Sequence, residues 1–152
     1  MKYTAFLVIV FALIAMGCSS SKKSNTGMDT DSKASTTITD QSWELIMFGG
    51  AEIDQSATSG QKIHFILNSA NNRVSGYSGC NVFSGSYTLE EGHRIRFAQM
   101  VSTKKACMEM PVDETKLLRV FKKVDNYSID GRTLSLKVGR MASLAVFEAG
   151  GE

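Results

Sequence analysis

Short apolar runs of period two recur from Trp43 to Phe147, and one segment departs from them. Trp43, Leu45 and Met47 alternate with polar or opposite-face residues, and so do Ile63, Phe65 and Leu67. Successive side chains of a strand point to opposite faces, so this pattern reads as half-buried strands. Similar runs cover Arg73 to Tyr77, Phe83 to Leu89, Ile95 to Phe97, Tyr127 to Ile129, Leu134 to Val138 and Ser143 to Phe147. Asn71-Asn72, Glu90-Glu91-Gly92 and Gly139-Arg140 separate them. Asp130-Gly131 is the strongest hairpin signal, because glycine readily takes positive φ.

The exception is helical. Leu117, Leu118, Phe121 and Val124 recur at helical spacing. Pro111 suits a first helical position. Asp113 and Glu114 then lie in the first turn and Lys122 and Lys123 in the last, as the helix dipole prefers. The spacing predicts a helix from about 111 to 123. A twisted antiparallel sheet with one amphipathic helix makes the fold mainly β. It points to a partly closed barrel, with the helix over one opening or face.

The glycine-rich stretch Ser75-Gly76-Tyr77-Ser78-Gly79-Cys80-Asn81-Val82-Phe83-Ser84-Gly85-Ser86-Tyr87 is answered downstream by Ser102-Thr103-Lys104-Lys105-Ala106-Cys107. Gly76, Gly79 and Gly85 permit positive φ or close backbone approach, and Asn81 tolerates left-handed backbone. These residues resemble the central motif of the META/HslJ-like family: a Gly-Cys-Asn turn between strands, then a Met-x-Ser-Thr-x-x-x-Cys run from Met100 to Cys107. Trp43 followed by Leu45 resembles the family's opening strand. The resemblance spans about Ser42 to Phe147. It implies a small lipocalin-like antiparallel barrel with one helix, in which Gly76, Gly79, Asn81, Phe83, Gly85 and Tyr87 are structural. It also implies a bacterial envelope protein linked to stress tolerance or virulence, with no general enzymatic activity.

The N-terminus carries an address. Met1-Lys2 is a short positive start, and Ala5 to Met16 is wholly apolar. That run is about a dozen residues, short of the ~20 that span a bilayer, and reads as the core of a signal peptide over residues 1–17. Ala15-Met16-Gly17-Cys18 resembles a lipobox, with Ala15 where Leu is commoner; simple secretory cleavage is the alternative. The chain has three cysteines, and acylation of Cys18 would leave Cys80 and Cys107 as a pair. Ser19 and Ser20 after the cysteine favour the outer membrane, facing the periplasm; a soluble periplasmic protein is the alternative. Residues 18–40 read as the lipidated cysteine and a disordered tether, reaching roughly 25 Å as a flexible coil. Residues 41–152 read as one domain.

In an oxidising compartment Cys80 and Cys107 are expected to form a structural disulfide, with unlinked thiols or a redox or metal role as alternatives. Closing a loop of about 27 residues would add roughly 3.5 kcal/mol in the chain-entropy account. No Cys-x-x-Cys is present.

Chemistry-bearing patterns are sparse, and no catalytic residue, metal site or cofactor is assigned. Ser78 sits in Gly76-x-Ser78-Gly79, which lacks the glycine placement and strand-to-helix context of a nucleophile elbow. His64 and His93 are the two histidines; the first reads as a surface residue and the second as a turn residue. Met100, Cys107, Met108 and Met110 could suit a soft metal, but methionines more often fill irregular core gaps. Net charge is +2, and Lys104-Lys105 and Lys122-Lys123 read as solvated pairs, which is no nucleic-acid footprint. Three functions follow, in order. The first is a non-catalytic outer-membrane lipoprotein, binding or chaperone-like in envelope stress. The second is a lipocalin-like carrier or pilot-type lipoprotein for a lipid or hydrophobic peptide. The third is a thiol or soft-metal protein. The expected partners are the membrane, through the lipid anchor, and an envelope protein or hydrophobic ligand. The carrier needs an open cavity, so close packing of Phe65, Leu118, Phe121 and Phe147 would count against it.

Overall fold

The computed structural model describes residues 37–58, 60–106 and 110–151. The expected signal peptide, Cys18, the tether up to residue 36, Cys107 and Met108 lie outside them. The strands are β1 (Ser42–Phe48), β2 (Ala51–Glu52), β3 (His64–Asn68), β4 (Arg73–Tyr77), β5 (Val82–Glu90) and β6 (Arg94–Ser102). Helix α1 (Glu114–Lys123) follows, then β7 (Asn126–Asp130), β8 (Thr133–Lys137) and β9 (Ala145–Ala149).

Every pairing is antiparallel. From β3 onward each strand pairs with the next, and β1 pairs with both β3 and β9. The sheet therefore closes completely, as an eight-stranded barrel to which the two-residue β2 is added as a hairpin on β1. Closure removes the free edges that a partly closed barrel would keep. The seam between β6 and β7 is thin: Arg94 pairs with Asn126, and two backbone bonds, Ile95 N to Asp125 O and Tyr127 N to His93 O, flank it. The chain between these strands is the crossover that holds α1.

The period-two pattern has its reason in the barrel interior. Trp43 and Leu45, Ile63, Phe65 and Leu67, and Leu134 and Leu136 are all buried, while their sequence neighbours are more exposed. Phe65 is the hub. Its ring meets Phe147 at 4.8 Å, Phe121 at 5.4 Å and Phe97 at 6.4 Å, all edge to face. That geometry is the favoured one for aromatic pairs. Leu118, expected within this cluster, is half-buried at its margin: it packs against the core from the flank of the helix face that buries Leu117 and Phe121.

Three expectations shift at their boundaries. The helix begins at Glu114, because the Asp113 carboxylate accepts from Lys116 N and caps it; Pro111 and Val112 lie outside, with Val112 buried in the core. The domain begins before residue 41. Ile38 is buried, its carbonyl accepts from Trp43 Nε1 at 2.9 Å, and the Asp40 carboxylate accepts from Ser69 N at 2.9 Å. The last strand ends at Ala149, where Ala149 pairs with Trp43. Gln55 was not singled out by any sequence pattern. Its amide donates to Leu45 O and accepts from Ile63 N, bridging β1 and β3 where their ladder ends.

Asp125 fastens the return from α1 to the sheet. Its carboxylate accepts from Gly139 N at 2.6 Å and from Asn126 Nδ2 at 2.9 Å, and these bonds, the backbone one foremost, hold its pKa below the ordinary value. A depressed carboxylate pKa contributes stability above the unfolded-state pKa, and that contribution is lost as pH falls through the folded value. Stability should therefore fall below about pH 4, and Asp125→Asn should flatten part of that fall. Denaturant melts at neutral and acid pH test this; equal slopes for both proteins would sink it.

Candidate functional site

Residues Ser78 to Asn81 turn the chain from β4 into β5. Ser78 and Asn81 are both buried, so their polar groups need partners. Within the turn, Ser78 N and Ser78 Oγ both donate to Asn81 O, at 2.8 and 2.9 Å, and Asn81 N donates to Ser78 Oγ at 3.2 Å. The Asn81 side chain then reaches outward. Its Oδ1 accepts from Thr103 Oγ1 at 2.7 Å and from Lys105 N at 2.8 Å, and its Nδ2 donates to Glu114 Oε2 at 2.7 Å. One amide thus joins the hairpin, the segment after β6 and the first turn of α1. An aspartate could not donate to Glu114, and an alanine could make none of these bonds.

The glycines serve the same turn. Gly79 has φ +104°, and a Cβ there would lie 2.6 Å from Met110 Cε. Gly76 lies under the Phe83 ring, where a Cβ would come within 2.4 Å of both Phe83 Cζ and His64 O. Phe83 is thereby laid inward onto Phe121, at 5.3 Å. Gly85 is buried beneath Met100, at the irregularity where Ser84 and Ser86 pair with Val101 and Ala98. Tyr87 is buried, donates to Asn68 O at 3.2 Å, and has its pKa raised by that burial. The Tyr77 hydroxyl donates to Gly79 O, closing the loop from its other side.

Beside the Asn81 node lies an open cleft of about 510 Å³. One wall is Ser102 to Lys105, and the other is the face of α1 bearing Thr115, Leu118, Arg119 and Lys122. Among the described residues, four cations, Lys104, Lys105, Arg119 and Lys122, line it against one carboxylate, that of Glu114. A smaller hollow of about 360 Å³ adjoins it, sharing Asn81, Lys105 and Glu114 and adding Ser78, Cys80 and Met110.

The family model of the META domain matches residues 36–151. The chain belongs to the META domain family. Two solved structures share its fold. One is an NMR structure of a protein from Burkholderia xenovorans, 24% identical, with a TM-score of 0.61 over 76% of this chain and 85% of that one. The other is a crystal structure of a duf4847 family protein from Bacteroides vulgatus, 10% identical, with a TM-score of 0.52 over 73% of this chain and 93% of that one. No curated protein shows a significant match.

Within this META domain, Gly76, Gly79, Asn81 and Phe83 sit where the barrel, the crossover and the helix meet, whereas Gly85 lies under Met100 along β5 and Tyr87 is fastened to Asn68 and Asn72 toward the other mouth. Cys80 is half-buried in the turn; Cys107, its expected partner, is outside the described residues, as is Cys18. His64 is half-buried on β3 with Nδ1 2.8 Å from Lys62 O, whereas His93 is exposed in the β5–β6 turn against the Tyr127 ring. Met100 lies against Gly85 and Met110 against Gly79. Two groupings were not visible beforehand. Thr103 and Glu114 belong to the Asn81 node, and Lys104, Lys105 and Lys122 join Arg119 around one cleft. The helical spacing of Thr115, Arg119 and Lys122 was the available signal for the second.

Proposed function

We propose that this META-domain protein is a non-catalytic lipoprotein of the bacterial envelope, held by an acylated Cys18 in the outer membrane and facing the periplasm. Its domain acts as a binding or chaperone-like module in envelope stress tolerance, and a Cys80–Cys107 disulfide braces the Gly-Cys-Asn turn. The observation that carries this reading is the disposition of the motif. Ser78 and Asn81, on either side of Cys80 in the turn, are engaged with each other, and Asn81 with Thr103 and Glu114, in holding the fold. Ser78 Oγ is bound within its own turn, which supports a structural role. The filled interior favours a module that works through its outer surface over a carrier: Phe65, Phe97, Phe121 and Phe147 occupy the space a lipid tail would need.

Labelled palmitate fed to the native host is expected to enter the wild-type protein but not a Cys18→Ser variant, which should also leave the membrane fraction. Deletion is expected to raise sensitivity to membrane-active drugs, with rescue by the wild-type gene. Equal labelling of both forms would overturn the anchor, and unchanged growth across envelope stresses would overturn the role.

A further inference from the structure

We propose that the cleft between the Ser102–Lys105 segment and helix α1 is a binding site for a phosphate-type oxyanion. The inference rests on the reading of the domain as a binding module, and it names what that module holds.

Charge and shape carry it. Lys104 and Lys105 come from one wall and Arg119 and Lys122 from the other, so a group between them faces cations on both sides. Lys104, Arg119 and Lys122 make no ion pair among the described residues. Among the described residues, five ion pairs lie outside the cleft: Lys62–Glu44, Arg94 and Arg96 with Glu90, Lys116–Asp113 and Arg132–Glu148. The described lining of the cleft is therefore net positive, with Lys104, Arg119 and Lys122 outnumbering Glu114. Its volume of about 510 Å³ falls within the range of small-ligand sites, roughly 300–1,000 Å³.

The same residues set the class and the position of the ligand. Glu114 stands at the Asn81 end, tied there by the amide, so an anion is driven toward the end bounded by Lys104, Arg119 and Lys122. An arginine fork with lysine point charges suits a phosphate better than a lone carboxylate, since the attraction grows with the ligand's charge. The hydroxyl of Thr115, one helical turn from Arg119, adds a neutral donor to the same wall. Leu118 lies between Thr115 and Lys122 on the helix wall and offers an apolar contact to whatever carries the phosphate.

The test uses the chain from residue 18 onward with Cys18→Ser, which keeps every described residue. Amide NMR shifts are followed at low ionic strength, where screening is weak. The probes are inorganic phosphate, glycerol 3-phosphate, and phosphatidylcholine vesicles with and without phosphatidic acid. Saturable shifts are expected at Thr103 to Lys105 and Thr115 to Lys122. Arg119→Gln with Lys122→Gln should weaken binding about tenfold, as expected from removing two near contacts in a water-like dielectric. Arg73→Gln with Arg140→Gln removes the same charge away from the cleft and should leave binding unchanged. Both double variants alter exposed or solvent-facing groups, and their unshifted core amides verify folding. A response to the soluble phosphates assigns a free ligand; a response only to phosphatidic acid assigns a lipid headgroup. No saturable response to any probe overturns the site, and so does equal weakening by both double variants. Saturation by a polyglutamate peptide but by no phosphate would also overturn it, in favour of an acidic polypeptide. Palmitate labelling and the stress phenotype test the envelope reading independently, so the two can fail separately.

Discussion

Phe121→Ala is expected to destabilise the domain by about 3–5 kcal/mol and to lower its melting temperature by about 15 °C or more. Phe121 is 1% exposed, and with Leu117 it is one of the two side chains that α1 buries in the core. Its ring meets Phe97 at 4.9 Å, Phe83 at 5.3 Å and Phe65 at 5.4 Å. Truncation would leave a cavity walled by three rings on three different strands, β6, β5 and β3, which cannot collapse together onto it. Leu118→Ala, three residues earlier on the same helix, removes a half-buried side chain and should cost under about 1 kcal/mol. Equilibrium denaturation of the two variants checks the contrast. Comparable losses would mean that α1 lies on the barrel and does not plug it.

The second large effect belongs to Asn81. Asn81→Ala should cost about 3 kcal/mol, since it orphans partners on three segments at once. Asn81→Asp tests the mechanism more sharply. The carboxylate still accepts from Thr103 and Lys105, but it replaces a donor with an oxygen facing Glu114 Oε2 at 2.7 Å. It should therefore also be destabilising at neutral pH, by about 2 kcal/mol. Adding Glu114→Gln supplies a new donor and removes one charge, and should recover at least about 1 kcal/mol in a double-mutant cycle. No recovery would mean that the Asn81–Glu114 bond does not carry the helix.

Local rules reached far into this fold because most of it is built from neighbours. Each hairpin is closed by residues adjacent in sequence, and Gly131, at φ +56°, turns β7 into β8 where Asp130-Gly131 suggested it. The inward alternation at Ile63, Phe65 and Leu67 was legible for the same reason. Closure through β1 and β9 was not, because it depends on the register and tilt accumulated over all the intervening strands. The irregularity opposite Gly85 was hidden too. It sits at Gln99, a non-glycine at φ +52°, in a run that reads as continuous strand. The helix start was misplaced because Pro111 and Asp113 are both good starting signals, and only the Asp113 carboxylate actually meets an amide. At the site, composition could mark Asn81 as a turn residue. It could not show that its amide spans to residues 22, 24 and 33 positions away. The cleft's cations were invisible as a group, since two come from an extended segment and two from a helix.

The meander of the barrel gives the domain a direction. Successive antiparallel strands deliver their connections alternately to opposite mouths, and β1 and β9 lie side by side. The chain therefore enters through Thr37 to Gln41 and leaves after Ala149 at the same mouth, together with the turns 69–72, 91–93 and 131–132. The Gly-Cys-Asn turn and the crossover to α1 open at the other mouth. The first described residues and the basic cleft beside the Gly-Cys-Asn turn therefore belong to opposite mouths, so a ligand can reach the cleft without crossing the segment by which the chain enters the barrel.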